Sequence, residues 1–206
     1  MKSNNFFWVS FSDLMTSLFF IMLVLFVVSI GYLQFQKKAT EQQLKKMEEL
    51  QTAVQQLPLD YFSYQEQYKR FKLNREIEFA DGDSIIRKFE DRMYLKKVGN
   101  AIKNKVDSLS TNENFKKFDI KYQIVIEGMS SKDKYPYNFE LSYKRALSLY
   151  RLWKKDSIIF NPEICDIQIA GSGIDGVREY SGREEKKNQQ FLIHIVPKIG
   201  KIFDRE

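Results

Sequence analysis

Only one charged side chain, that of Asp13, interrupts an otherwise uncharged run from Ser3 to Gln36. The run is much longer than the ~20 apolar residues that an α-helix needs to cross a bilayer. Trp8 and Tyr32 stand near its two ends, as aromatic residues do at membrane–water interfaces. Its apolar core is too long for a secretory signal peptide, and no small-residue cleavage site follows it. We therefore predict that residues 1–36 form one transmembrane helix with a short tail, and that this helix stays attached as an anchor.

The polar side chains of this predicted helix share one face. With about 3.6 residues per turn, Ser10, Asp13, Thr16 and Ser17 form a stripe. An ionised carboxylate facing lipid costs at least ~2.5–3.5 kcal/mol, so we expect the stripe to face other helices or a water-filled path. There the acid could load and unload a proton. Alternatively, it only holds helices together through hydrogen bonds.

Residues 8–16, with the sequence WVSFSDLMT, resemble the W-x-(S/A)-(Y/F)-(A/S)-D-(L/F)-M-T signature of MotB-type stator proteins. That family also includes the ExbD and TolR subunits and the ZorB subunit of the Zorya phage-defence system. In it, two copies of a single-span protein sit inside a ring of a larger multi-span partner. The resemblance implies that Asp13 binds a proton or sodium ion and that Thr16 and Ser17 help to ligate or relay it. It also implies two partners, a MotA/ZorA-like membrane protein and a second copy of this chain.

Residues 37–60 are predicted to form a helical linker. Apolar residues recur there at spacings of three and four, namely Leu44, Met47, Leu50, Val54 and Leu57. Such a pattern is typical of a helix that pairs with its own copy, although two heptads are too few for a stable isolated coiled coil. Pro58 should end the helix. In the stator family the corresponding region plugs the ion path, so this stretch is expected to be either a plug or a plain linker.

Residues 61–206 are predicted to form one α+β domain in which helices pack on a single sheet. Strand-like alternation around 71–73 marks the start of folded structure. Further strand patterns occupy 77–79, 120–127, 167–170 and 191–196, and helical periods occupy 84–109 and 139–153.

Composition gives no positive sign of an enzyme or of a nucleic-acid-binding protein. The net charge of +6 comes from Lys and Arg that are interleaved with acidic residues, without a block of like charges. Cys165 and His194 are each the only residue of their type, so neither can complete a metal site of the usual Cys/His kind. Phosphate-binding glycine loops and nucleophile motifs are absent from the sequence. We therefore predict no metal, no cofactor and no nucleic-acid partner.

Residues 138–146, with the sequence NFELSYKRA, are similar to the N-x-x-L-S-x-x-R-A motif of OmpA-like (MotB C-terminal) peptidoglycan-binding domains. The resemblance implies a pocket between the end of the preceding strand and the start of this helix, with Asn138 and Arg145 as binding residues. The planar, charged guanidinium of Arg145 suits a carboxylate of the peptide stem. Alternatively, Arg145 braces the helix against the sheet through an internal carbonyl or carboxylate.

Two segments depart from that family's pattern. The family has G-H-T-D, whose aspartate pairs with the amino end of diaminopimelate, where this chain has GMSS at 128–131 with Asp133 two residues beyond. The family's N-R-R-V is replaced by NQQF at 188–191, which removes both arginines. A charged contact of this kind is worth ~1.5–3 kcal/mol, and Ser131 cannot supply it. Ser131 and Asp133 are the candidates for this part of the pocket.

The resemblance implies a bacterial inner-membrane protein with a cytoplasmic N-terminus and a periplasmic folded domain. Counting the basic residues that flank the span favours the opposite orientation, because Lys2 precedes it and Lys37, Lys38, Lys45 and Lys46 follow it. The N-terminal tail is short, however, and the ligand of an OmpA-like domain lies outside the cytoplasm. The leading hypothesis is an ion-conducting stator subunit anchored to peptidoglycan. The alternatives are a static envelope anchor and the motor subunit of a phage-defence system.

Overall fold

The chain divides into two compact units, residues 1–48 and 49–206, in a computed structural model that describes residues 4–111 and 120–199. Helix α1 spans Asn4–Gln55, so it forms the first unit and also begins the second. From Trp8 onward α1 is long and apolar enough to cross a membrane. The side chains of its most apolar stretch are not buried.

The described residues of the second unit form one sheet and two long helices besides the end of α1. Its described strands are β1 (Phe62–Gln65), β2 (Arg70–Leu73), β3 (Ile120–Gly128), β4 (Cys165–Gly171) and β5 (Phe191–Ile199). The helices are α2 (Phe89–Ser110) and α3 (Asn138–Lys155), with 3-10 segments at Glu66–Tyr68 and Gly182–Asn188. The strand order is β1-β2-β5-β3-β4, in which only β3 and β4 run parallel. This arrangement confirms the predicted α+β class with helices on one sheet.

The core lies between the helices and one face of the sheet. In β3 every second residue is buried, as strand geometry requires of a half-buried strand. In α2 the buried apolar residues recur at spacings of three and four, and they are Leu95, Val98, Ile102 and Val106. The fully buried Trp153 of α3 donates its indole N–H to the carbonyl of Leu95 at 2.8 Å, which joins the two helices.

Two glycines allow α3 to approach the ends of β3 and β4 very closely. A Cβ on Gly128 would overlap the main-chain oxygen of Ser142, and a Cβ on Gly171 would overlap the main-chain nitrogen of Tyr143. Real Cβ atoms do not come this close to main-chain atoms, so any larger residue would push the helix away from the sheet. The start of α3 is thereby held over the carboxyl ends of two parallel strands.

Two secondary-structure predictions need correction, and one strand was missed. The predicted strand at 77–79 is irregular chain, and its Phe79 ring instead contacts the Phe191 ring at 5.7 Å. The helix predicted from residue 84 begins at Phe89, because the Asp83 carboxylate accepts hydrogen bonds from the N–H groups of Ser84 and Ile85 and holds a turn there. Strand β1 was not predicted at all.

Three of the linker residues whose spacing predicted self-pairing are instead buried within this chain. Leu50, Val54 and Leu57 are 8%, 1% and 3% exposed and belong to the core of the second unit. They therefore do not form a free apolar seam for a second copy. The domain boundary at residue 61 stays a prediction.

Candidate functional site at the end of β3

The site is built where the chain leaves β3 and returns to begin α3. The Ser130 hydroxyl donates a hydrogen bond to the carbonyl of Asn138 at 3.1 Å, and the Ser130 N–H donates to the carbonyl of Gly173 at 3.2 Å. Both hydrogen bonds lie close to Gly128 and Gly171, where α3 contacts the sheet. The intervening loop is thus held at its two ends.

Asp133 is the centre of the polar groups in this loop. Its carboxylate accepts hydrogen bonds from the Ser131 hydroxyl at 2.8 Å, the Asn138 amide at 2.9 Å and the Tyr135 N–H at 2.9 Å. Partial burial raises the pKa of Asp133, but these hydrogen bonds and the charge of Arg145 outweigh that effect and lower the pKa below its ordinary value. The residue is exposed, so an ionised carboxylate is accessible to a ligand at neutral pH.

Asn138 joins this loop to the helix. Its side-chain amide also donates to the carbonyl of Tyr135 at 2.8 Å, and the residue is 4% exposed. Its Oδ1 atom accepts no hydrogen bond from any residue that the structure describes. A buried acceptor without a donor is uncommon in folded proteins.

Arg145 lies buried beside this loop, with 1% of its surface exposed. Its Nε atom donates to the carbonyl of Asp83 at 3.1 Å and its Nη1 atom to the carbonyl of Met129 at 3.3 Å. The guanidinium carbon lies 4.5 Å from the centre of the Phe79 ring. Burial lowers the pKa of Arg145 to about 10, and nearby carboxylates, Asp133 foremost, limit that decrease. The group remains charged at neutral pH.

The structure therefore brings the four predicted pocket residues into one region. Ser131, Asp133 and Asn138 are connected by direct hydrogen bonds, and Arg145 is close enough for its charge to act on Asp133. The observed contacts of Arg145 are those of the bracing alternative, because two of its nitrogens donate to main-chain carbonyls. Its contact with a ligand carboxylate stays a prediction.

The two departures from the family motif contact each other. The Gln189 amide, at the position of a family arginine, donates to the hydroxyl of Ser131 at 2.8 Å. Ser131 stands at the position of the family aspartate. The neutral pair Ser131 and Gln189 thus takes the place of the aspartate and the arginine of the motif. The sequence alone does not show that these two departures are in contact.

Arg178 was missed by sequence reasoning. It donates to the carbonyl of Ser130 at 2.5 Å, to that of Ile174 at 3.0 Å and, through Nε, to the Glu185 carboxylate at 2.8 Å. Glu185 in turn accepts a hydrogen bond from the N–H of Lys132 at 2.8 Å. These contacts fasten the loop after β3 to the 3-10 segment. No local motif marks Arg178, since it lies in an irregular, charged stretch.

The second predicted site lies in the first unit, on α1. Asp13, Thr16 and Ser17 are spaced three and four residues apart and therefore share a helix face. The Thr16 hydroxyl donates to the carbonyl of Ser12 at 2.7 Å and the Ser17 hydroxyl to that of Leu14 at 2.9 Å. Each hydroxyl oxygen keeps lone pairs that can accept a proton or ligate a cation. Ion binding by these residues stays a prediction.

No family model and no curated protein matches this chain. Among solved structures, it is similar to a putative MotB-like protein from Desulfovibrio vulgaris, with 14% identity over 83% of this chain and 99% of that chain and a TM-score of 0.46. The C-terminal domain of Helicobacter pylori MotB has 10% identity over 63% and 88% of the two chains, with a TM-score of 0.40. The cell wall anchor of the T6SS from Pseudomonas aeruginosa has 16% identity over 66% and 87%, with a TM-score of 0.41.

Proposed function

We propose that this chain is a single-pass protein of the bacterial inner membrane whose periplasmic unit binds the peptide stem of peptidoglycan. The observation that carries this proposal is the opposite charge of two neighbouring groups, the exposed carboxylate of Asp133 and the buried guanidinium of Arg145. Such a pair suits a ligand that carries both an ammonium and a carboxylate, as the diamino acid of a peptide stem does. In this arrangement Asp133 takes the role that the family gives to the aspartate at position 131.

The free-energy cost of keeping Arg145 charged in its buried position supports a binding role. Lowering its pKa from 12.5 to about 10 means that keeping it charged inside the protein costs about 3 kcal/mol. The nearby carboxylates of Asp133, Asp83 and Asp81 keep this cost from being larger. Charged groups that are held at such a cost in a cleft are frequent at functional sites. The carbonyls of Asp83 and Met129 hold the guanidinium in place, so its positive charge acts on Asp133 and on the pocket although only 1% of the residue is exposed.

The test is co-sedimentation of the detergent-solubilised full chain with purified peptidoglycan. Asp133→Asn should weaken binding at least tenfold, because a charge-assisted contact is worth ~1.5–3 kcal/mol and ~1.4 kcal/mol is a factor of ten. Asp60→Asn is the matched control, since Asp60 is an exposed acid outside the site. Arg145→Ala should also weaken binding, and Arg145→Lys should restore it only in part because an ammonium lacks the planar fork.

Two results would contradict wall binding. In the first, the wild-type chain fails to sediment with peptidoglycan over a range of salt concentrations. In the second, Asp133→Asn binds as tightly as Asp60→Asn, and Arg145→Ala lowers thermal stability without a selective loss of binding. The second outcome would leave Arg145 with the bracing role alone.

We further propose that α1 carries a proton or sodium ion at Asp13, within a dimer surrounded by a multi-span MotA/ZorA-like protein. Support comes from a lone acid in an apolar helix, with the Thr16 and Ser17 oxygens on the same face. Asp13→Asn should abolish ion flux in vesicles that contain both proteins and leave membrane insertion intact, since an amide cannot cycle a proton. Asp13→Glu should keep part of the flux. Unchanged flux in Asp13→Asn would favour a static anchor.

A further inference from the structure

A groove follows the outer face of α3, on the side of the helix away from the sheet. Its volume is about 760 Å³, and its opposite wall is formed by residues 84–86 together with Arg92 of α2. On α3 the lining residues extend from Glu140 to Lys155. At about 1.5 Å per residue, the groove is ~22 Å long.

The floor of this groove is apolar. It is lined by Leu147 and Leu152 of α3, which are half-buried, and by the buried Ile86. Ile85 and Tyr143 also line it and are 56% and 45% exposed. Large apolar side chains left in solvent along a concave surface are typical of a docking site for another molecule.

The rim of the groove is basic. Lys144, Arg151 and Lys155 are exposed and form no ion pair with any described residue. Arg92 also lines the groove and directs one nitrogen to the carbonyls of Ile86 and Arg87. Among the described lining residues, Glu140 is the only acid.

We propose that this groove binds an acidic amphipathic helix of a partner protein. A groove that follows a helix and has apolar lining residues suits the helix-in-groove mode of recognition. The basic residues on α3 lie seven and four positions apart, so the partner would carry Glu or Asp at about the same spacing beside its apolar stripe. The apolar floor favours a protein over a wall glycan or its short, polar peptide stems. This inference does not depend on either proposed function.

The test is fluorescence anisotropy of the full chain in detergent with labelled synthetic helices. One peptide carries a leucine stripe flanked by Glu, and the other carries the same stripe flanked by Lys. The acidic peptide should bind at least tenfold more tightly than the basic one, and added salt should weaken its binding. The double variant Arg151→Glu with Lys155→Glu should weaken acidic-peptide binding at least tenfold. The matched double variant Arg183→Glu with Lys97→Glu, which makes the same charge change outside the groove, should bind within twofold of wild type.

Three results would overturn the proposal. They are equal or absent binding of the two peptides, equal loss of binding in the two double variants, and displacement of the peptide by soluble peptidoglycan fragments. The last would assign the groove to the wall polymer. Thermal melts of both double variants serve to check that they remain folded, so that a loss of binding can be assigned to the groove itself.

Discussion

Leu57→Ala should destabilise the second unit much more than the same change two residues further on. Leu57 is 3% exposed within the core, whereas Leu59 is 81% exposed. Truncating a buried leucine to alanine costs ~2–5 kcal/mol, from lost transfer energy and the cavity that remains. Because Leu57 lies in a bend outside the helices and strands, where the chain can relax around the cavity, we expect about 2–3 kcal/mol. Leu59→Ala should cost less than ~0.5 kcal/mol.

The measurements are urea and thermal unfolding of the fragment 49–206, both followed by circular dichroism, for the wild type and both variants. A domain of this size shifts its Tm by ~2–4 °C per kcal/mol, so Leu57→Ala should melt about 4–12 °C lower. A fragment that begins at Tyr61 lacks Leu50, Val54 and Leu57 together and should be less stable still. If that shorter fragment unfolds at the same urea concentration as 49–206, or if the two leucine variants are alike, the linker residues do not belong to the core.

Two further predictions concern the sheet. Gly128→Ala should lower the free energy of unfolding by about 3 kcal/mol, because the new Cβ would overlap the main-chain oxygen of Ser142 and overpacking costs ~1–3 kcal/mol or more. Urea titration measures this loss. Glu127 forms a hydrogen bond with His194 at 2.6 Å. Burial raises the pKa of Glu127, but the contacts with His194 and Ser172 and the charge of Arg70 lower it by more. Its folded pKa lies below the ordinary 4.5, so this stabilisation is present above that pH and is lost as the pH falls through the folded value. When urea unfolding is repeated at decreasing pH, Glu127→Gln should therefore lose less stability than the wild type. If the two proteins lose stability equally, the Glu127 carboxylate does not contribute to the pH dependence.

The fold was predictable from the sequence wherever apolar residues follow a single period. The alternation at 120–127 and the helical period at 139–153 differ from β3 and α3 by no more than two residues at either end. Strand β1 was missed because it is a four-residue strand at the edge of the sheet, too short for a period to show. The false strand at 77–79 alternates because Ile77 and Phe79 pack into the core while Glu78 is exposed, although its main chain pairs with no described strand.

The candidate site was predictable only where its residues are adjacent in sequence. Asn138 and Arg145 belong to one helical motif, and the Asp133 contacts are local. The hydrogen bond of Gln189 to Ser131 joins residues 58 positions apart, and that of Arg178 to Ser130 joins residues 48 positions apart. Such contacts depend on how the sheet closes, and no spacing in the sequence indicates them.

The contact between Gln189 and Ser131 also limits how this pocket can change by mutation. Aspartate at 131 alone would place a second carboxylate beside Asp133, and the neutral Gln189 amide that contacts position 131 would not offset its charge. Arginine at 189 alone would set a cation against a hydroxyl. Each single reversion toward the family motif should therefore be worse than the two together, with a coupling of ~0.5–3 kcal/mol between contacting positions. Relatives of this chain should then carry Ser with Gln or Asp with Arg at these positions, and mixed pairs should be rare.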